Sequence, residues 1–345
     1  MIKQMKMNII LKTACLLALG ACLLGSCAKA STEGTNTTQK RYLDAWRAIH
    51  YPGSVEKDGI YVIEDIPGTG SAWTDTRAIS FVTYTVRDLT GAVTSNTDEE
   101  WAKQLGTWDQ THYYGKQVVI TGESASYAGL DVLLDGMRVG GTRTAIIPSW
   151  LMTLERYDGA DEYFKHETSN STAIYTVTLL GQTDNLNDYE FGEMKEYAAV
   201  NWGVTDTLST AAVFFKSHAE FPEALAEMPQ DTTFYINYTG RRISDGQVFD
   251  TTIADTAKFY HIYDPSRSYQ PVSVAMAADV ANISMGGSTS LINGFKYGLQ
   301  AMHPGESASF LFGYNLGYGS SGGSDTKMVP PYAALRFDID LVPKP

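Results

Sequence analysis

Cysteine is nearly missing from this sequence of 345 residues. The three that occur, Cys15, Cys22 and Cys27, all stand before Ala28. A disulfide framework or a cysteine metal site in the body of the chain is therefore excluded. Histidine is scarce as well. Its six residues show neither HExxH nor any paired metal spacing, and no metal or other cofactor is expected. Basic residues are outnumbered by acidic ones, 26 to 39, which sets the net charge at −13. That balance repels phosphate backbones, so nucleic acid is not an expected partner. Beyond Leu24 there is no apolar run long enough to span a bilayer. What is present is 43% hydrophobic and 19% charged, the composition of a globular chain that is neither disordered nor fibrous. The length allows one large or two medium domains.

The first residues read as an address. Lys3 and Lys6 precede an apolar run from Ala14 to Leu24, which is too short for a spanning helix and fits a secretory h-region. Leu24-Gly25-Ser26-Cys27 then resembles the lipobox of bacterial lipoproteins. The resemblance implies a signal peptide over residues 1–26, lipidation of Cys27, and an acyl anchor to the cell envelope. Cleavage would remove Lys3, Lys6 and Lys12 and leave the chain more acidic. Ala28 stands where some bacteria place a retention aspartate, which points to the outer membrane, periplasmic or surface-facing. Residues 27–40 are small and polar and read as a flexible tether.

Tyr42, Leu43, Ala45, Trp46 and Ile49 recur at helical spacing and predict a short amphipathic helix. Further on, two stretches look like copies. Tyr84 pairs with Tyr238, Gly129 with Gly294, and Tyr175 with Phe337, in the same order and at offsets of 154 to 165 residues. This predicts a duplicated domain over 41–182 and 183–345, with residues 181–189 as the connecting loop. Each copy reads as alternating strands plus one short helix, which gives an α+β fold with an antiparallel sheet.

The second copy carries seven blocks in order. They are Tyr238-Thr-Gly240, Asp245-Gly246-x-x-Phe249-Asp250, Leu291-Ile292-x-Gly294-Phe295, Met302-x-x-Gly305-Glu306, Gly317-Tyr318-Gly319, Val329-Pro330-Pro331 and Leu335-x-Phe337-Asp-Ile-Asp-Leu341. Taken singly, Phe295, Ile292 and Phe337 read as core, and Asp250 as a turn or cap residue. Their ordered sum resembles the FKBP-type peptidyl-prolyl isomerases over most of residues 232–342. The resemblance implies two FKBP-like domains, each an antiparallel sheet wrapped around a short helix. It implies a pocket with Phe295 as floor and Tyr238, Phe249, Ile292 and Phe337 as walls. Asp250 would be the pocket aspartate, Tyr318 the hydroxyl that holds a ligand carbonyl, and Leu291, Val329 and Val272 substrate contacts. The implied activity is isomerisation of X–Pro bonds in proline-containing client polypeptides outside the cytoplasm, with no cofactor. A non-catalytic chaperone or a surface-complex lipoprotein stands beside it as the alternative. Oligomeric state is left open.

Two departures matter. About forty residues separate Asp250 from Leu291, roughly twice the family's usual spacing, and this insert holds Tyr260, Tyr263, Pro265, Tyr269 and Pro271. In the first copy Thr94-Ser95 replace Phe-Asp, and Leu130 takes the floor position. That copy is expected to lack the usual active site while keeping Tyr84 and Tyr175 as walls.

Overall fold

The structure is a computed structural model that describes residues 35–345, apart from 74–78, 123–124, 167–169, 221–225, 227–228, 230 and 324–327. The expected signal peptide, Cys27 and the start of the tether lie outside the described residues. From the N-terminal side the elements are α1 (Thr35–His50), β1 (Val55–Lys57), β2 (Ile60–Ile66), β3 (Ile79–Arg87), β4 (Val93–Asn96), α2 (Glu99–Leu105) and β5 (Gln117–Ile120). Next come α3 (Ala128–Leu134), β6 (Thr142–Ile147), α4 (Ala160–Phe164), β7 (Ala173–Thr183) and α5 (Leu186–Trp202). The remainder is β8 (Val213–Ser217), β9 (Thr233–Arg242), β10 (Val248–Thr251), α6 (Ala254–Phe259), β11 (Val272–Ala275), β12 (Ser284–Met285), α7 (Asn293–Gln300), β13 (Ser307–Phe312) and β14 (Leu335–Val342). Among the described residues no helix is long and apolar enough to cross a membrane.

Two compact units emerge. Among the described residues, one comprises 35–52 with 157–166, the other those of 53–156 with 170–345. In the first, Leu43 is buried on α1, Trp46 stacks on His50 one turn later, and Tyr163 of α4 is buried edge-on to Tyr157. Helix α1 starts at Thr35, so residues 35–40, expected as tether, are helical. Gln39 and Lys40 are good helix formers, and Lys40 pairs with Asp44 one turn on, at 3.8 Å.

The second unit holds two antiparallel sheets. Their orders are β1-β2-β6-β7-β3-β4, with β5 also on β3, and β12-β11-β9-β14-β13-β8, with β10 also on β9. Hence β2-β6-β7-β3 and β8-β13-β14-β9 run in the same order. The registers agree residue by residue. Val86 pairs with Ser95 and Tyr175, and Gly240 pairs with Asp250 and Phe337. In both hairpins a threonine hydroxyl accepts the tyrosine N–H, Thr97 for Tyr84 at 2.8 Å and Thr252 for Tyr238 at 3.0 Å.

One short helix lies on each sheet, and a glycine sets how closely it approaches. A Cβ on Gly129 of α3 would stand 2.2 Å from Ile147, and one on Gly294 of α7 would stand 2.2 Å from Phe312. The core of the second sheet is aromatic: Phe295, Phe310, Phe312 and Phe337 are all buried in one cluster with Leu299 and Met302. Strand β14 alternates buried and half-buried residues along most of its length, as its period-two pattern predicts.

The expected loop at 181–189 is different. Strand β7 runs through Thr183, and α5 starts at Leu186. The polar residues read as loop formers are a cap: the Asn185 side-chain oxygen accepts the N–H of Asn187 and Asp188 at 3.1 and 3.3 Å.

Candidate active site

Strands β9, β10 and β14 and helix α7 bring the second sheet's aromatic residues together. Tyr238 and Gly240 lie on β9, Phe249 and Asp250 on β10, Phe337 on β14 and Phe295 on α7. The Phe295 and Phe337 rings are 4.9 Å apart, Phe249 and Phe337 5.7 Å, Tyr238 and Phe295 5.8 Å, and Phe249 and Tyr318 6.2 Å. All four pairs meet edge to face, which suits the ring quadrupoles. Leu291 and Ile292 pack on this cluster, and Val329 is buried in it. Ile292 is the extended residue that caps α7, so its side chain is delivered where the helix begins. Val272 stands at the margin, half-buried on β11 opposite Ile236.

Gly240 explains how two rings fit over one strand. A Cβ there would come within 2.8 Å of both Phe249 and Phe337. The matching residue of β3 is Val86, opposite Thr94-Ser95, where the aromatic wall is missing.

Asp250 is the polar centre. Its carboxylate accepts the Tyr238 hydroxyl at 2.7 Å and the Arg267 guanidinium at 2.5 Å. Arg267 also donates to the Tyr238 hydroxyl at 3.2 Å. Burial, with the charge and hydrogen bond of Asp250, holds the Tyr238 phenol well above its ordinary range, so it stays protonated. For Arg267, burial is the largest single influence and acts to lower the pKa, but the charge and hydrogen bonds of Asp250 and Tyr238 together outweigh it and the net shift is upward. The site therefore carries a neutralised ion pair rather than a free carboxylate.

Arg267 was not legible as a site residue. It comes from the insert, seventeen positions after Asp250, where Asp264 accepts the N–H and hydroxyl of Ser266 and Tyr269 stacks against the guanidinium. The one available signal was general: a carboxylate among aromatic rings needs a cation, and the insert contains two, Lys258 and Arg267. Tyr318 is over a third exposed, and among the described residues its hydroxyl has no hydrogen-bond partner. Burial foremost, then Asp250, raises its pKa, so it remains a donor.

Residues 274–342 match the family model of FKBP-type peptidyl-prolyl cis-trans isomerases. Over this segment the chain is similar to FKBP-type domains. The matched segment includes Leu291, Ile292, Phe295, Tyr318, Val329 and Phe337, whereas Tyr238, Phe249, Asp250 and Val272 precede it. The chain is 30% identical over 107 residues to the Macrophage infectivity potentiator of Trypanosoma cruzi, which is 31% of this chain and 40% of that protein. It thus spans less than half the length of that relative. Among solved structures, it is similar to a peptidyl-prolyl cis-trans isomerase of Pseudomonas syringae pv. tomato, at 19% identity, TM-score 0.30, 45% of this chain and 90% of the other. It is also similar to FkpA from Escherichia coli, at 24% identity, TM-score 0.30, 46% of this chain and 58% of the other. The three FKBP domains of wheat FKBP73 match at 16% identity and TM-score 0.29, over 82% of this chain and 94% of the other.

Proposed function

We propose that the second sheet with α7 is a peptidyl-prolyl cis-trans isomerase acting on proline-containing clients outside the cytoplasm. The observation that carries this reading is the aromatic site built on Asp250, Tyr238 and Arg267, within a domain whose C-terminal part matches the isomerase family. An X–Pro bond rotates against a barrier of about 18–20 kcal/mol. Twisting removes amide resonance, and with it the large dipole of the planar form. Apolar rings such as Phe249, Phe295 and Phe337 solvate the twisted amide better than the planar one. Tyr318 donates to the carbonyl before the proline and fixes the pose. Asp250 orients Tyr238 and is held by Arg267, and takes no proton from the substrate.

Isomerisation of a proline peptide by the full chain tests this. Phe249→Ala and Asp250→Ala should each lower kcat/KM at least tenfold. Absent activity, or activity indifferent to both, overturns the reading in favour of a non-catalytic chaperone. That second reading draws on Arg267, through which the insert reaches into the site.

The same proposal covers organisation and location. Two FKBP-like domains, 41–182 and 183–345, follow a signal peptide over 1–26 and a tether that ends where α1 begins at Thr35, and the matching strand orders support the duplication. Cys27 would carry lipid and anchor the chain, at the outer membrane by the residue after it. Cys27→Ser should abolish acyl labelling and move the protein to the soluble fraction; unchanged labelling would reject the anchor.

A further inference from the structure

The first sheet and α3 enclose a cavity of about 540 Å³, within the range of small-ligand sites. Its walls stand at positions that match the proposed isomerase site. By strand register, Tyr84 matches Tyr238, Thr94-Ser95 match Phe249-Asp250, and Tyr175 matches Phe337. Leu130 on α3 matches Phe295 on α7, each just after the helix glycine. All of these first-sheet residues line the cavity.

The two sites differ in charge and in hydrogen bonding. No charged side chain lines the first-sheet cavity among the described residues. Around Asp250 the Tyr238 hydroxyl is occupied, donating to the carboxylate and accepting from Arg267. Ser95 offers Tyr84 no carboxylate. The hydroxyls of Tyr84, Tyr127 and Tyr175 have no hydrogen-bond partner among the described residues, and all three side chains border the cavity. Tyr175 is only 8% exposed. Burial first, then its tyrosine neighbours, raises its pKa to about 12, so it remains a donor.

These facts specify a ligand. Apolar walls from Val82, Val86, Leu130 and Val177 ask for an aliphatic body. Unpaired phenol donors ask for acceptors along it, which the carbonyls of an extended peptide supply. The lack of any counter-charge rejects ions, because a charge entering would lose its hydration unpaid. We infer that the first-sheet cavity is a second peptide-binding site, which holds an uncharged aliphatic segment by its side chain and backbone carbonyls. The site has no counterpart of the Asp250–Arg267 pair and binds without isomerising. The inference stands apart from the proposed isomerase activity.

Met152 lines the cavity and provides a reporter. The full chain, labelled at the methionine methyl groups, is titrated by NMR with the blocked tetrapeptide acetyl-Ala-Leu-Pro-Phe-amide and with its charged counterpart acetyl-Ala-Glu-Pro-Phe-amide. The neutral peptide should shift the Met152 methyl saturably, and the charged one should need at least tenfold more. Tyr84→Phe with Tyr175→Phe should weaken the neutral peptide about tenfold, as should Ser95→Asp, which gives the Tyr84 hydroxyl an internal acceptor. Ser95 is exposed, so that variant is expected to fold. Leu130→Trp should fill the cavity and abolish the shift. The shift should persist in Asp250→Ala, which separates this site from the other. No Met152 shift, equal response to both peptides, or a shift indifferent to Ser95→Asp and Leu130→Trp would overturn the inference.

Discussion

At the scale of single residues, the second-sheet site depends on one missing side chain. Gly240 is not in a left-handed turn; it is a strand glycine, required because Phe249 and Phe337 both lie where its Cβ would be. Gly240→Ala should push the two rings apart and destabilise the protein by about 1–3 kcal/mol, the usual cost of overpacking. It should also lower the proposed isomerase activity more than Gly192→Ala, whose glycine has open space around it and no left-handed backbone. A chemical melt and a rate measured on the same preparations check both effects. The ion pair works differently. Arg267 leaves Asp250 with partners on both oxygens, so its value lies in keeping a carboxylate tolerable beside aromatic rings rather than in net stability.

At the scale of elements, the helix-on-sheet contacts of the two sheets solve one packing problem in opposite ways. On α7 a small residue, Gly298, faces a large one on β13, Phe310, whose ring would be 2.4 Å from an added Cβ. On the first sheet the matching positions are Leu133 and Ala145, large on the helix and small on β6, both fully buried. Total volume is kept while the bulk changes sides. Gly298→Leu alone should therefore be strongly destabilising through overpacking, and Phe310→Ala alone should cost about 3–5 kcal/mol through a cavity. The double variant should recover a large part of both losses. A double-mutant cycle from urea denaturation measures that coupling, and additive losses would show that the two positions do not share space.

At the scale of the whole molecule, buried charge ties distant segments of the second unit together. Arg242 is fully buried: its guanidinium grips Asp245 at 2.7 and 3.0 Å and donates to the carbonyls of Met328 at 2.5 Å and Thr111 at 2.9 Å. It thereby joins the segment before β5 to the β9–β10 hairpin. Glu190 on α5 is buried too, and accepts the Tyr314 N–H at 3.1 Å. Burial raises its carboxyl from 4.5 to about 7. Between those values the folded chain keeps a proton that the unfolded chain has released. Stability should therefore fall as pH rises from 4.5 to 7 and level off on either side, by about 3 kcal/mol at most. Glu190→Gln should remove this fall and make the protein more stable at pH 8. Urea melts across pH 4.5 to 8 check it, and an identical pH profile in the variant would refute the assignment.

Much of this architecture was legible in the sequence because it is written in local periodicity and residue type. Alternating apolar residues mark β14, the spacing of Phe295, Leu299 and Met302 marks α7, and the ordered aromatic blocks marked the rings that meet around Asp250. Those signals are short-range, and strand and helix geometry converts them directly into faces. The α5 cap was misread because asparagine signals a loop and a helix start with the same side chain. What only the tertiary structure decided depends on how distant segments converge. The insert's fold brings Arg267 onto a carboxylate seventeen positions earlier, and α5 buries Glu190 against Tyr314. The first sheet leaves three phenols facing an uncharged cavity where its counterpart holds an ion pair. Spacing along the chain carries no record of such pairings, because each depends on which groups the packed core removes from water together.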